Sequence, residues 1–244
     1  MRDAVRQELV KGQLARHLPL LRTHGRVLDV GCGQGTQAIA LARAGWHVLG
    51  LDLEDTLLDV ARACLREEAD DVRSRVEFRV GDLFALASVV ENDRFDVVCC
   101  HGVVMYLPSL NFAVAALAEV VAPNGMLSVL SRNRAGIAMR AGLMGDWGGV
   151  HDGLESRMYA NRLGIADVRA DDPEEVADAF ALAGCEPIAW YGVRLLTDHW
   201  GDMAPPPDLD AIVAAEEAVG QRDPYRRLAA LTHTIGTKVR APSM

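Results

Sequence analysis

Apolar positions along the chain fall into short, almost continuous runs, separated by longer stretches of helical period. Such runs occur at Arg26–Val30, His47–Leu51, Val76–Val80, Phe95–Cys100 and Met126–Ser131. Between them apolar side chains recur every three or four residues. That spacing predicts helices over Thr36–Ala44, Thr56–Glu68 and Leu110–Val121, with a short one near Phe84–Val89. Strands that are apolar on both sides must be covered on both faces, so their alternation with helices predicts a parallel, doubly wound α/β sheet. Ahead of the sheet, Leu9, Val10, Leu14, His17 and Leu18 keep helical spacing and predict a helix over Val5–Leu21.

After Arg132 the rhythm changes. Gly136–Asp172 contains Gly142, Gly145, Gly148, Gly149, Gly153 and Gly164 and reads as one helix plus a long loop, the usual form of a lid or binding segment. Asp172-Pro173-Glu174-Glu175 starts a helix that runs to Ala183 and stops at Gly184. Two strand-like segments follow, Glu186–Leu196 and His233–Arg240, separated by Pro205-Pro206-Pro207 and a helix over Asp208–Val219. The expected organisation is one domain over 1–244. It has a cap helix in 1–25, a ligand-binding core in 26–132, an insertion or lid in 133–172, and helices with a strand hairpin in 173–244.

Composition narrows the picture. With 50% hydrophobic and 24% charged residues in 244, the chain has the balance of one globular core. No apolar run reaches the ~18 residues of a membrane helix, and the N-terminus leads into mixed charge, so a cytoplasmic protein without a membrane partner is expected. The five cysteines are odd in number and form no CxxC pair, which predicts small buried hydrophobes and neither disulfides nor a zinc site. His151-Asp152 has no third ligand at a useful spacing, so no metal is expected. The net charge of −9 works against nucleic-acid binding unless arginines gather on one face. The sequence carries no signal for an oligomeric state.

Candidate chemistry concentrates at the strand ends. Asp29-Val30-Gly31-Cys32-Gly33-Gln34-Gly35-Thr36 is a strand turning into a helix through alternate glycines, a place where backbone closely approaches a ligand. A dinucleotide loop would carry GxGxxG, but Thr36 fills the slot of the third glycine. Asp29, just before the loop, would repel a phosphate and suits a cationic amino-acid end. Asp52, followed by Leu53, ends the second strand, where a carboxylate accepts from two ribose hydroxyls. Asp82 ends the third strand and suits an adenine amino group, with the Leu83 backbone N–H meeting a ring nitrogen. The fourth strand brings His101 to the same edge.

Together these four strand ends resemble the class I S-adenosylmethionine-dependent methyltransferases over about Arg26–Arg132. The resemblance implies a Rossmann-like sheet of seven strands, the last two antiparallel, and S-adenosyl-L-methionine held by Asp29, Gly31, Cys32, Gly33, Gln34, Asp52, Leu53, Asp82, Leu83 and His101. A narrower pattern consists of Lys11-Gly12-Gln13-Leu14, His101-Gly102-Val103-Val104, Gly192-Val193-Arg194 with Asp198, and Arg222-Asp223-Pro224-Tyr225. It is similar to the tRNA 5-carboxymethoxyuridine methyltransferases, which esterify a carboxylate on a wobble uridine. This implies that Gln13 also touches the cofactor. Ala15 and Met105-Tyr106 depart from that group beside the expected pocket.

A carboxylate acceptor needs orientation, typically by arginine, whereas a hydroxyl acceptor needs a base. Arg132 and Arg194 are the expected anion holders, with Arg134 beside Arg132 on the same strand end. Tyr106 and Trp147 are expected to line the pocket or to fill the core. His101 is the one base on offer, although its backbone is the better candidate for contact with the methionine ammonium. The acceptor is thus expected to be tRNA or a small molecule. A small-molecule O-methyltransferase and a non-catalytic cofactor-binding module are the alternative readings, with an NAD-dependent oxidoreductase further off.

Overall fold

The apolar runs become neighbouring strands because pairing and covering them removes their apolar surface from water; Val76–Val80, at the edge of the sheet, is the least covered of them. The computed structural model describes residues 2–18, 25–91, 93–159, 168–200, 204 and 207–239. In chain order the elements are α1 (Arg2–Ala15), β1 (Arg26–Val30), α2 (Thr36–Arg43), β2 (His47–Asp52), α3 (Asp55–Arg66), α4 (Asp70–Arg73), β3 (Val76–Val80), α5 (Leu86–Val89), β4 (Phe95–His101), α6 (Leu110–Glu119) and β5 (Val121–Arg132). They continue with α7 (Ala135–Leu143), α8 (Trp147–Glu155), β6 (Met158–Tyr159), β7 (Val168–Arg169), α9 (Pro173–Leu182), β8 (Cys185–Val193), α10 (Leu209–Gly220) and β9 (Leu231–Lys238).

The main sheet has seven strands in the order β3-β2-β1-β4-β5-β9-β8. All pairings from β3 to β5 are parallel, while β9 runs antiparallel between β5 and β8. The order reverses direction between β1 and β4, which opens a crevice at the carboxyl ends of those strands. Alternate residues then sort into two cores. Leu28, Val98, Leu127 and Val129 pack with Leu117 of α6 and Phe180 of α9, and Val27, Cys99, Met126 and Ile235 pack with Leu14 of α1 and Leu41 of α2. No helix among the described residues is long and apolar enough to cross a membrane.

Several expected boundaries move, each for a local reason. The N-terminal helix ends at Ala15, short of Leu21. In the sequence, Pro19 disfavours helical backbone at residue 18, and residues 19–21 lie outside the described part. The insertion is not one helix and a loop but two helices and a small antiparallel pair, β6–β7. Its second helix is capped by the Asp146 carboxylate, which accepts from the Gly149 N–H at 2.9 Å, and Gly153 lets it lie close against α7. Gly164 and most of the Pro205-Pro206-Pro207 spacer lie outside the described residues, as does Arg240. The strand expected to reach Leu196 stops at Val193, because Arg194 adopts φ +61°. Of the cysteines, Cys99, Cys100 and Cys185 are buried as expected, but Cys32 is half-buried and Cys64 is exposed on α3.

Candidate functional site

The glycine loop after β1 turns with φ values of +74° at Gly31 and +54° at Gly33. A Cβ on Gly31 would lie 2.1 Å from a Val103 methyl, so the loop is pressed against the segment that follows β4. Gly33, by contrast, has nothing within 4 Å of its missing side chain and leaves open space above the loop. Asp52, at the end of β2, ties the loop down: its Oδ2 accepts from the Gly33 N–H at 2.8 Å and its Oδ1 from the Glu54 N–H at 3.0 Å. Each oxygen keeps a further lone pair for a diol. At the end of β3 the Asp82 Oδ1 accepts from the Phe84 N–H at 2.9 Å. Leu83 beside it is buried, whereas Leu53 after β2 and Gln34 in the loop are exposed at this edge.

Asp29 is buried under the loop. Burial first, and the neighbouring Asp52 carboxylate second, push its carboxyl up to about 7. Its Oδ1 accepts from Gln37 Nε2 at 3.1 Å, but its Oδ2 is buried without a hydrogen-bond partner. An orphaned acceptor next to an open glycine face fits a cationic, hydrogen-bond-donating ligand end, and the paired carboxylates of Asp52 and Asp82 fit an adenosine. Cys32, within the loop, is no nucleophile, because burial, then Asp29 and Asp52, push its thiol well above the usual range.

His101 does not face the crevice as a base. Its ring is turned into the sheet, where Nδ1 lies 2.6 Å from Gln37 Oε1 and Nε2 lies 2.9 Å from Ser128 Oγ. Burial, with a smaller contribution from Arg6, brings its pKa down to about 3. The line continues from Ser128 Oγ to His233 Nε2 at 2.8 Å, and from His233 Nδ1 to Gln13 Oε1 at 2.8 Å. Gln13 Nε2 donates to Glu217 Oε2 at 3.1 Å, and Glu217 is ion-paired with Arg16. Gln13 is therefore not a residue of the cofactor edge: it is fully buried on α1 and joins α1 to α10 and β9.

A cavity of about 800 Å³ begins beside Gly102, just past β4, and extends under α7 and α8. Its buried end is basic. Arg132 at the end of β5, Arg140 on α7 and Arg194 after β8 all point at Asp198, with N–O distances of 3.5, 3.3 and 3.0 Å. Burial opposes the charge on Asp198, but Arg194, Arg132 and Arg140 outweigh it and hold the carboxyl below its ordinary range. Three guanidiniums thus meet one buried carboxylate at this end, and Arg194 also lies 3.9 Å from the exposed Asp3 carboxylate. Arg132 also lies 5.2 Å from the Tyr159 ring centre, in cation–π contact, and its Nε is buried without a hydrogen-bond partner.

Expectation and structure part company at several other residues. Tyr106 lines the cavity and is half-exposed, whereas Trp147 is 69% exposed and is no core aromatic. Arg134 turns away from the arginine cluster to Asp172 at 3.5 Å. The basic stretch near the C-terminus is neutralised locally, Arg226 by Asp223 and Arg227 by Glu174. Sequence reasoning gave no place to Gln37, Ser128, His233 or Glu216. For Ser128 the available signal was a polar residue inside the apolar run Met126–Leu130; Thr232-His233-Thr234 in the largely polar strand β9 gave none.

Comparison with known proteins agrees with this geometry. Residues 28–129 match the family described as "Methyltransferase domain". The ubiquinone biosynthesis O-methyltransferase of Leptothrix cholodnii is 39% identical over 110 residues, 44% of this chain and 45% of that protein. The tRNA 5-carboxymethoxyuridine methyltransferase of Escherichia coli K12 is 26% identical over 214 residues, 87% of this chain and 80% of that one. Against the ubiquinone-pathway relatives the chain spans about half of their length. Among solved structures, magnesium protoporphyrin IX methyltransferase from Synechocystis, with SAH bound, superposes with a TM-score of 0.65 at 15% identity, covering 97% of this chain and 85% of that one. Residues 28–129 thus match a methyltransferase domain, and the sheet that carries them has the class I S-adenosylmethionine-dependent methyltransferase fold.

Proposed function

We propose that the protein transfers the methyl group of S-adenosylmethionine to a carboxylate, and that the carboxylate belongs to a modified wobble uridine of tRNA. The observation that carries this reading is the cluster of Arg132, Arg140 and Arg194 around Asp198 at the end of a cavity that starts beside the cofactor edge. The sulfonium supplies a methyl group with its own leaving group, so the chain's own residues need only bind, orient and exclude water. Asp29 and Asp52 receive the cationic and diol ends of the donor, with Asp82 toward its adenine. The arginines hold one acceptor oxygen and leave the other toward the methyl carbon. One C–O bond forms as one C–S bond breaks, a carboxylate and a sulfonium become an ester and a thioether, and no proton moves. That balance accords with the state of His101, which has both ring nitrogens engaged and is not available as a base. The insertion helices α7 and α8 act as the lid.

A second reading, an O-methyltransferase acting on a small molecule, is supported by the apolar mouth of the cavity, where Tyr106 and Met144 lie exposed. It also draws on the likeness to the ubiquinone biosynthesis O-methyltransferases.

Donor labelled with tritium in its methyl group separates the two. Incubated with tRNA bearing 5-carboxymethoxyuridine, the protein is expected to label that tRNA, and mild alkali is expected to release the label as methanol. Turnover is also expected to fall with added salt, because phosphate contacts release counterions. Label that resists alkali, or that enters only a metabolite extract, favours the second reading and removes the first.

A further inference from the structure

Glu216 is a carboxylate with 1% exposure in the second half of α10. Its partners are not side-chain cations but the turn that follows β8. Oε2 accepts from the Leu195 N–H at 2.8 Å. Oε1 accepts from the Leu196 N–H at 3.0 Å, the Thr197 N–H at 2.8 Å and the Thr197 hydroxyl at 2.6 Å. Three consecutive backbone N–H groups converging on one carboxylate define a tight concave turn. The residue just before them, Arg194, has φ +61°, a region that side chains other than glycine enter only under strain. The residue just after them is Asp198.

Glu216 can reach this turn because α10 lies against β8 backbone to backbone. Gly220, one helical turn further on the same face, would place a Cβ 2.4 Å from the Gly192 carbonyl oxygen. The glycine pair fixes the height of α10, and Glu216 then fills the concavity. The other end of the turn is fixed separately, since the Ala230 N–H donates to the Arg194 carbonyl at 3.2 Å and the Trp200 N–H to the Thr197 carbonyl at 3.0 Å.

We propose that Glu216 is a positioning residue for the acceptor: by binding the three N–H groups it holds Arg194 in its left-handed conformation and so aims its guanidinium, with Asp198, into the basic end of the cavity. The inference rests on the reading of that arginine cluster as the carboxylate site. Glu216 itself touches neither ligand. A glutamine at 216 would turn one acceptor into a donor facing N–H donors, relax the turn and let Arg194 return to ordinary backbone angles.

Inorganic sulfate serves as the probe, a small anion of the kind the cluster would hold. It is titrated into labelled protein while the side-chain Nε–H signals of the arginines are followed by NMR. S-adenosylhomocysteine binding is measured in parallel by calorimetry. Wild type is expected to show saturable shifts at Arg132 and Arg194, and Arg194→Ala to weaken sulfate binding. Glu216→Gln is expected to weaken it about tenfold through misplacement of the guanidinium, with S-adenosylhomocysteine affinity within about twofold of wild type and little further loss in the double variant with Arg194→Ala. If Glu216→Gln does not fold, Thr197→Val, which deletes only the hydroxyl bond, is expected to act in the same direction by about threefold. Sulfate affinity unchanged in the folded Glu216 variant, or equal and additive losses in the double variant, overturns the inference while leaving the carboxylate site standing. Wild type that ignores sulfate, or Arg194→Ala that binds it normally, overturns the site and the inference together.

Discussion

The two ends of the crevice are built in opposite ways. At the cofactor edge, Asp29, Asp52 and Asp82 sit on three strand ends that follow one another in the chain, and a glycine loop presents bare backbone between them. At the acceptor end, Arg132, Arg140, Arg194 and Asp198 come from β5, α7 and the turn after β8, and the turn itself is shaped by Glu216 from a fourth segment. One end is acidic and receives a cation. The other gathers three arginines around a buried aspartate, and in the proposed reaction it receives an anion. Transfer of a methyl group from sulfonium to carboxylate removes both charges, so a site divided in this way stabilises the reactants' approach and lets the neutral products go. Under that proposal the polarity of the crevice bears on the acceptor as well as on the donor.

The sharpest way to break this comparison is to remove its acidic anchor. Asp52→Ala deletes the acceptor for a ribose diol and also frees the Gly33 N–H that shapes the loop. Two charge-assisted hydrogen bonds at ~1.5–3 kcal/mol each correspond to a loss of affinity of about 100-fold or more. Calorimetry with S-adenosylhomocysteine checks it, and affinity within tenfold of wild type would remove Asp52 from the site.

The basic end is expected to respond through stability. Asp198→Ala removes the buried carboxylate that three largely buried guanidiniums face, leaving the exposed Asp3, 3.9 Å from Arg194, as a weak substitute, and costs about 3 kcal/mol. Denaturant unfolding measures the loss. Millimolar sulfate is expected to recover more of it in the variant than in wild type, because an added anion replaces the missing carboxylate. Equal recovery in both proteins would show that the cluster does not bind anions.

How far these two ends could be read from sequence follows from how they are made. Strand periodicity, the glycine loop and the acids at strand ends are local, and each has a residue type that only a few structures need. The sheet from β1 to β5 was legible for that reason. Arg132 and Arg194 were legible as anion holders on neighbouring strand ends, but the aspartate that gathers them with Arg140 was not, because nothing in the spacing of 132, 140, 194 and 198 requires it. Glu216 and Glu217 are adjacent acids on one helix, and nothing local in the sequence tells them apart. In the structure one is buried under a turn and the other is tied to α1, a difference decided by how α10 docks on β8. Gln13 was placed at the cofactor by resemblance, yet its amide is spent inside the protein. The two-helix insertion escaped because its glycines suggest a loop, while Gly153 is there for helix packing.

Asp29 gives a smaller effect with a distinctive sign. Its carboxyl is raised from an ordinary value near 3.8 to about 7 by burial and by Asp52. Between those pH values the unligated folded protein holds a proton that the unfolded chain has released, so its stability falls as pH rises through that window. An asparagine at this position would hold no such proton. Asp29→Asn is therefore expected to melt a few degrees above wild type at pH 8, with the gap closing toward pH 4, and to bind S-adenosylhomocysteine about tenfold less tightly at pH 8 for want of one charge-assisted hydrogen bond. Melting curves that differ by the same amount at both pH values would show that Asp29 is not the titrating group.

The smallest effect lies in the line that runs from the cofactor edge across the sheet to α1 and α10. Glu217 is ion-paired with Arg16, so Gln13 donates to it and accepts from His233 Nδ1–H. With Asp29 ionised, Gln37 likewise donates to Asp29 and accepts from His101 Nδ1–H. Both Nε2 atoms then face Ser128, whose hydroxyl has one proton to give. Burial keeps both imidazoles neutral, since the pKa of His101 is brought down to about 3 and that of His233 lies well below its ordinary value. When Asp29 takes a proton, the Gln37 amide can turn over, His101 can carry its hydrogen on Nε2, and every donor in the line has an acceptor. The tautomer of His101 is thus expected to follow the charge of Asp29, with Nε2–H at pH 5 giving way to Nδ1–H at pH 8 in nitrogen-15 NMR spectra of histidine-labelled protein. Ser128→Ala should cost about 1–2 kcal/mol for the hydrogen bonds it deletes. It should also leave the His101 signals titrating while those of His233, which move with them in wild type, stand still. A His101 ring whose tautomer is indifferent to pH, or a His233 ring that still responds without the serine, would show that the line does not carry the charge state of the cofactor edge across the sheet.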